Sequence, residues 1–230
     1  MPDQLILFDV DGTLVHVAEE LAFARALLEH CGQAVDLSFA ADMVTSDDGY
    51  VRGVLRRAGL QHADHAVDAA LARFVDCLRA AIDSAELTVR PIRGAATLLE
   101  ALRDRVALAL ATGCVAPSAR AKLAAVGLDD AFPCGGFSQR EQARSEILER
   151  TVVAAAGHYG RHFGREQIVY VGDGPWDVAA ARDVGIRVVG VDERAAGRQR
   201  LRAAGATVVF DDLTDLAALS AALRGEAIRR

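Results

Sequence analysis

The segment that decides the fold is Phe8-Asp9-Val10-Asp11-Gly12-Thr13-Leu14, which completes the apolar run Leu5–Phe8. The run is short and ends at acids and a glycine, a pattern that predicts a buried β-strand followed by a turn. In an α/β sheet, ligands bind at the carboxyl ends of the strands, where Asp9 and Asp11 would lie. Two acids on a buried strand end are costly unless a cation compensates them. The segment therefore predicts a chemically active strand end, with a solvated Asp-Gly turn as the alternative.

Composition places the chain among ordinary α/β proteins. Its 230 residues are 52% hydrophobic and 25% charged, enough for a substantial core with or without an inserted domain. The net charge of −6 argues against nucleic acid or an anionic membrane as the main partner. There is no apolar run of membrane-spanning length, no signal-peptide pattern and no cysteine spacing typical of zinc or disulfides. We therefore expect a cytoplasmic protein.

The periodicity of the rest of the chain predicts two blocks. Helices are predicted at 18–31, 36–43, 48–59 and 63–82, with no strand among them. Further helices are predicted at 95–103, 117–126, 141–157, 177–184, 197–204 and 214–223. These later helices alternate with predicted strands at 106–111, 167–171, 186–191 and 206–210. The alternation predicts an α/β fold with a doubly wound parallel sheet, formed by residues 1–15 and 91–230, and residues 16–90 form an inserted helical domain.

Polar side chains follow two more of the predicted strands. Thr112 and Gly113 follow the strand at 106–111, where a hydroxyl and backbone N–H groups can hold a phosphoryl oxygen. Asp173 and Asp177 follow the strand at 167–171. With Asp9 they would form an oxygen-rich cluster suited to a hard cation such as Mg²⁺. A helix N-cap or first-turn acid is the alternative for Asp177.

Taken in order, these segments resemble the motifs of the haloacid dehalogenase-like hydrolase superfamily. Asp9-Val10-Asp11-Gly12-Thr13-Leu14 resembles its first motif, Thr112-Gly113 its second, and the Gly-Asp-x-x-x-Asp stretch from Gly172 to Asp177 its fourth. An all-helical insertion after the first strand resembles the cap domain of the first subclass. The resemblance therefore implies a Rossmann-like core and a C1-type cap at residues 16–90.

The resemblance also implies a role for each acid. Asp9 would be the nucleophile that forms an aspartyl-phosphate, and it would also bind Mg²⁺. Asp11 would be the general acid and later the general base, and its backbone carbonyl would be a second metal ligand. Asp173 would bind the metal directly, and Asp177 would bind it directly or through water.

A cation for the phosphoryl oxygens completes the implied site. The superfamily usually places a lysine before or within the helix that precedes the fourth motif, whereas the only lysine here, Lys122, lies on an earlier helix. Arg144 is the residue we predict for this role. The upstream Gly135-Gly136-Phe137 resembles phosphoglycolate phosphatase-like members in which an arginine replaces the lysine. A solvated helical arginine is the alternative.

The sequence thus predicts a Mg²⁺-dependent phosphatase, monomeric or homodimeric, for a small phosphorylated metabolite such as a phosphoglycolate-like phosphomonoester. Asp11 argues against a true haloacid dehalogenase, and the absence of a lysine from the cap argues against a phosphonate hydrolase. A sugar phosphomutase stays open, because the motif residues do not separate it from a phosphatase. A receiver domain would be much shorter and lack the first motif. A protein that binds a phosphorylated ligand without catalysis is the remaining alternative.

Overall fold

A six-stranded parallel sheet forms the centre of the computed structural model, which describes residues 3–38, 44–60, 62–140 and 143–226. In chain order, the strands of this sheet and of a separate ribbon are β1 (Leu5–Phe8), β2 (Val15–His16), β3 (Arg90–Pro91), β4 (Ala107–Ala111), β5 (Gly135–Gly136), β6 (Ile168–Gly172), β7 (Arg187–Val191) and β8 (Val209–Phe210). The order across the sheet is β5-β4-β1-β6-β7-β8, and every pair is parallel. The predicted α/β fold is confirmed, with β1 between β4 and β6.

Helices cover both faces of this sheet. The helices are α1 (Glu20–Cys31), α2 (Asp47–Arg57), α3 (Asp64–Asp83), α4 (Ala95–Leu102), α5 (Ala116–Ala124), α6 (Arg144–Tyr159), α7 (Pro175–Val184), α8 (Ala195–Ala203) and α9 (Leu216–Arg224). Ile6 and Phe8 pack with α4, α5 and α9 on one face, and Leu5 and Leu7 pack with α6 and α7 on the other. Because alternate side chains of β1 are buried in two different cores, every residue of the strand is apolar.

Helices α1, α2 and α3 have a hydrophobic core of their own. Phe23 and Phe74 stack in it, with ring centroids 3.6 Å apart and planes at 9°. The chain enters and leaves this helical block through an antiparallel ribbon in which β2 pairs with β3. The block stands where the inserted helical domain is predicted, and the boundaries at residues 16 and 90 stay a prediction.

The differences from the predicted elements are confined to short segments. Strands β2, β3 and β5 have two residues each, too few for a periodic signal. The strand predicted at 206–210 is reduced to β8. In the helix predicted at 36–43, residues 36–38 are not helical, and residues 39–43 lie outside the described residues. Within the part that the structure describes, no helix combines the length and the apolar character needed to cross a membrane.

Candidate active site

Asp9 directly follows β1, at the centre of the carboxyl edge of the sheet. Its backbone N–H donates to the carbonyl of Val171 at 3.0 Å, and its side chain is buried. The chain then turns at Gly12, which has a φ of +77°. A Cβ atom at Gly12 would lie 2.1 Å from Oδ2 of Asp173. The turn therefore requires glycine for its backbone conformation and for the space that the Asp173 carboxylate occupies.

Three carboxylates meet at this edge. Asp9, Asp173 and Asp177 offer oxygen atoms that all lie within 4.8 Å of one another. Burial raises the pKa of Asp9 to about 7, although the Arg144 charge lowers it, and the Asp177 charge adds to the rise. The pKa of Asp173 is well above its ordinary value because of burial and the charges of Asp177 and Asp9. A hard cation would relieve this repulsion, so the oxygen-only donor set fits Mg²⁺.

Asp177, the most buried acid of the cluster, is held by two hydrogen-bond donors. Its Oδ2 accepts a hydrogen bond from the backbone N–H of Gly174 at 2.9 Å. Its Oδ1 lies 2.9 Å from the hydroxyl of Tyr170, a completely buried side chain on β6. The same hydroxyl is 2.9 Å from the carbonyl of Ala111, so its single hydrogen can serve either acceptor. The sequence analysis missed Tyr170, whose one signal is a phenol in an otherwise aliphatic strand.

Arg144, at the start of α6, reaches the carboxylate cluster. Its Nη1 is 3.5 Å from Oδ1 of Asp9, and its Nε is 3.4 Å from Oδ1 of Asp177. Its Nη2 donates to the carbonyl of Thr45 at 3.1 Å. Burial alone would lower the pKa of Arg144, but the charges of Asp9 and Asp177 raise it overall, so the guanidinium stays charged. The alternative of a solvated helical arginine is therefore wrong.

Thr112 and Gly113 follow β4, next to the first motif. Thr112 is buried, and its hydroxyl accepts a hydrogen bond from the backbone N–H of Cys114 at 3.2 Å. A Cβ atom at Gly113 would lie 2.8 Å from Nη2 of Arg144 and 2.6 Å from the carbonyl of Thr45. The backbone can therefore approach Arg144 closely only because residue 113 is a glycine.

The carboxylate of Asp11 lies outside the cluster of three. Its Oδ2 is 2.7 Å from Nζ of Lys122 and 2.9 Å from the Sγ of Cys114, which donates to it. Its Oδ1 is buried without a hydrogen-bond partner among the described residues. The role of Asp11 as a metal ligand through its backbone carbonyl stays a prediction.

Lys122 is a site residue that the sequence analysis set aside. It is completely buried on α5, and its Nζ is 2.6 Å from Oε2 of Glu19 and 3.6 Å from the Sγ of Cys114. Burial by itself would lower the pKa of Lys122, yet the facing carboxylates of Asp11 and Glu19 hold it well above its ordinary value. Burial raises the pKa of Glu19 to about 8, although Lys122 lowers it. The one signal in the sequence was that Lys122 is the only lysine of the chain.

A cavity of about 820 Å³ lies between the sheet edge and the helical block. The sheet side contributes Asp9, Asp11, Thr112, Gly113, Arg144 and Asp173, and the helical block contributes Glu19, Phe23, Thr45, Asp47 and Tyr50. Asp47 closes one wall, because its Oδ2 accepts hydrogen bonds from the backbone N–H of Val115 at 2.8 Å and the hydroxyl of Ser118 at 3.0 Å. A cavity of this size accommodates a small organic phosphate.

Comparisons with known proteins agree with this geometry. A sequence model of the haloacid dehalogenase-like hydrolase family matches residues 4–185. The phosphoglycolate phosphatase of Rhodospirillum rubrum is 33% identical over 221 residues, covering 92% of this chain and 88% of that protein. The phosphoglycolate phosphatase of Pectobacterium atrosepticum is 26% identical over 216 residues, covering 92% and 89%. The crystal structure of CbbY from Rhodobacter sphaeroides in complex with phosphate shares the fold, with a TM-score of 0.67, 24% identity and coverage of 94% of this chain and 96% of that one.

Proposed function

The chain belongs to the haloacid dehalogenase-like hydrolases, as a phosphoric monoester hydrolase, and we propose that it is a Mg²⁺-dependent phosphatase acting through an aspartyl-phosphate on Asp9. The observation that carries the proposal is the convergence of Asp9, Asp173, Asp177 and Arg144 at the carboxyl edge of the sheet, with the second acid, Asp11, held apart from them. The substrate is a small phosphomonoester. Phosphoglycolate is the first candidate, because two relatives that match most of the chain are named for it.

The oxygens of Asp9, Asp173 and Asp177, with the backbone carbonyl of Asp11, would hold Mg²⁺, which neutralises negative charge on the phosphoryl group. Arg144 supplies a permanent positive charge beside Asp9, and its guanidinium can bind two phosphoryl oxygens at once.

The reaction has two steps. In the first, a carboxylate oxygen of Asp9 bonds to phosphorus, the bond from phosphorus to the alcohol oxygen breaks, and Asp11 gives its proton to that oxygen. In the second, Asp11 takes a proton from water, and the water oxygen bonds to phosphorus. The bond between phosphorus and Asp9 then breaks, which releases phosphate and restores both acids.

Two chemistries share the first step. A phosphatase passes the phosphoryl group to water, whereas a sugar phosphomutase passes it to a second hydroxyl of a bound sugar. A non-catalytic phosphate-binding protein would take neither step. The presence of two acids in the first motif, Asp9 and Asp11, favours catalysis, and the names of the relatives favour water as the acceptor.

The test is phosphate release from a panel of phosphorylated metabolites, including phosphoglycolate and hexose phosphates, with and without Mg²⁺. Asp9→Asn removes the nucleophile, and Asp183→Asn is its matched control, since Asp183 is an exposed acid on α7. We expect the wild type and Asp183→Asn to release phosphate only with Mg²⁺, and Asp9→Asn to lose at least about a thousandfold in kcat. Acid-quenched wild type should carry phosphate that hydroxylamine removes.

Other outcomes redirect the proposal. A folded wild type that isomerises a hexose phosphate without net phosphate release is a phosphomutase. Binding of phosphorylated ligands with no turnover of any panel member makes it a binding protein. Unimpaired turnover by Asp9→Asn would rule out the assigned nucleophile.

A further inference from the structure

We propose that Lys122 is a positioning residue for catalysis, which holds the carboxyl group of Asp11 in the orientation that proton transfer requires. The inference rests on the proposed function, because it takes Asp11 as the general acid and base. It adds a residue from α5 to a carboxylate site otherwise built from the strand ends, α6 and α7.

The contacts of Asp11 give the first argument. Its Oδ1 has no hydrogen-bond partner among the described residues, so its orientation depends on the two groups that reach Oδ2. These are the Lys122 ammonium at 2.7 Å and the Cys114 thiol at 2.9 Å. A thiol is a weak donor, whereas an ammonium donating to a carboxylate makes a strong, charge-assisted hydrogen bond. Lys122 is therefore the main restraint on the acid.

The burial of Lys122 gives the second argument. Its side chain is completely buried, and removing an ammonium from water is costly unless facing charges compensate it. Met or Leu at this position of the apolar helix face would avoid that cost. Among the described residues, the hydrogen-bond and ion-pair partners of Nζ are Asp11, Glu19 and Cys114, all of which line the cavity. The location of these partners favours a role in the site over a role in packing.

A fixed carboxyl group matters because the proton must be passed at a short distance in both steps. In the first step the Asp11 carboxyl proton moves to the alcohol oxygen as its bond to phosphorus breaks. In the second step a water proton returns to Asp11 as the water oxygen bonds to phosphorus. General acid catalysis contributes about 10²–10⁴-fold, and a carboxyl group free to rotate would forfeit much of it.

The test compares two leaving groups in Lys122→Met. The first is the alkyl phosphate that the wild type hydrolyses best, whose alkoxide must be protonated as it leaves. The second is 4-nitrophenyl phosphate, whose phenolate leaves without a proton. The readout is kcat/KM, which reports the steps up to the departure of the leaving group and excludes the later hydrolysis of the aspartyl-phosphate. Asp11→Asn is measured in parallel as the reference for loss of the acid.

We expect Lys122→Met to lose about 10²-fold in kcat/KM for the alkyl ester and less than about 5-fold for the aryl ester. The double variant Asp11→Asn/Lys122→Met should be no slower on the alkyl ester than Asp11→Asn, because Lys122 acts through Asp11. Arg120→Met is the matched control. Arg120 is a cation on the same helix that pairs with Asp129 outside the cavity, and its loss should leave the ratio of the two substrates unchanged.

The outcomes separate this inference from the proposed function. A wild type that hydrolyses neither ester overturns both. An active wild type whose Lys122→Met variant loses the two activities equally, or multiplies the loss of Asp11→Asn, overturns the positioning role alone. If Lys122→Met does not fold, Glu19→Gln/Lys122→Met removes the facing acid with the lysine. The same ratio of the two kcat/KM values is then expected from that variant.

Discussion

Replacing Gly12 by alanine tests whether the carboxylate of Asp173 binds Mg²⁺, and a second glycine variant controls for the backbone strain of the substitution. The alanine Cβ would lie 2.1 Å from Oδ2 of Asp173. Carbon and oxygen atoms not bonded to each other rest near 3.5 Å, so the carboxylate must move by more than about 1 Å. In addition, a Cβ at the φ of +77° costs roughly 1–2 kcal/mol of stability, as for any residue other than glycine in the left-handed region.

The chain supplies a matched control for the strain. Gly32 ends α1 with a φ of +68°, and a Cβ there would have no atom within 4 Å. Gly32→Ala should lower the free energy of unfolding by about 1–2 kcal/mol, measured with urea in the absence of metal. Gly12→Ala should lower it by at least as much, because its Cβ also displaces the Asp173 carboxylate. The Mg²⁺ concentration for half-maximal phosphate release should rise about 10–100-fold in Gly12→Ala, the range for disturbing a metal ligand's surroundings, and should not change in Gly32→Ala.

Direct calorimetric titration with Mg²⁺ checks the same shift without turnover. Equal metal requirements in Gly12→Ala and Gly32→Ala would refute the reasoning, because they would show that the Asp173 carboxylate is not a ligand in its present position. If both variants needed more Mg²⁺, the cause would be the loss of backbone stability that they share and not the contact with Asp173.

Two further predictions concern charges around the site. Arg144→Met leaves Asp9 and Asp177 without their facing cation, so we expect the free energy of unfolding, measured without metal, to fall by about 3–5 kcal/mol. Arg144→Lys should restore part of this loss. Equal stability of Arg144→Met and the wild type in urea would contradict the ion-pair geometry. The folded pKa of Glu19, about 8, lies above its ordinary 4.5, so the stability that its protonated form contributes is complete below pH 4.5 and is lost as the pH rises through 8. Glu19→Gln should therefore lose less unfolding free energy than the wild type between these two pH values, and an unchanged pH profile would show that Glu19 titrates normally.

Much of the site was predictable because its residues directly follow strands. Asp9, Thr112 and Asp173 come after β1, β4 and β6, and parallel neighbours bring their carboxyl ends to one edge. The longer helices were also predictable from local sequence, because a periodic apolar stripe specifies which face of a helix is buried. The two-residue strands could not be predicted this way, because their pairing partners lie far along the chain.

Arg144 could be predicted only in part from the sequence. The order of the motifs suggested a cation from the helix before the fourth motif, but three arginines lie close together there: Arg140, Arg144 and Arg150. Tertiary packing separates them, since Arg140 pairs with the exposed Asp68 and Arg150 donates to the carbonyl of Phe137. Only Arg144 of the three contacts the acids of the cluster.

The sequence by itself determined the parallel sheet and the acids at the strand ends, because these follow from local periodicity and from the rules of parallel strands. Only the tertiary structure decided that Asp11 faces a buried ammonium and that Tyr170 holds Asp177. Asp11 and Lys122 are 111 positions apart, and their contact depends on how α5 packs against the first turn. Local sequence specifies which face of a helix is buried, but the partners of that face are set by packing between distant elements.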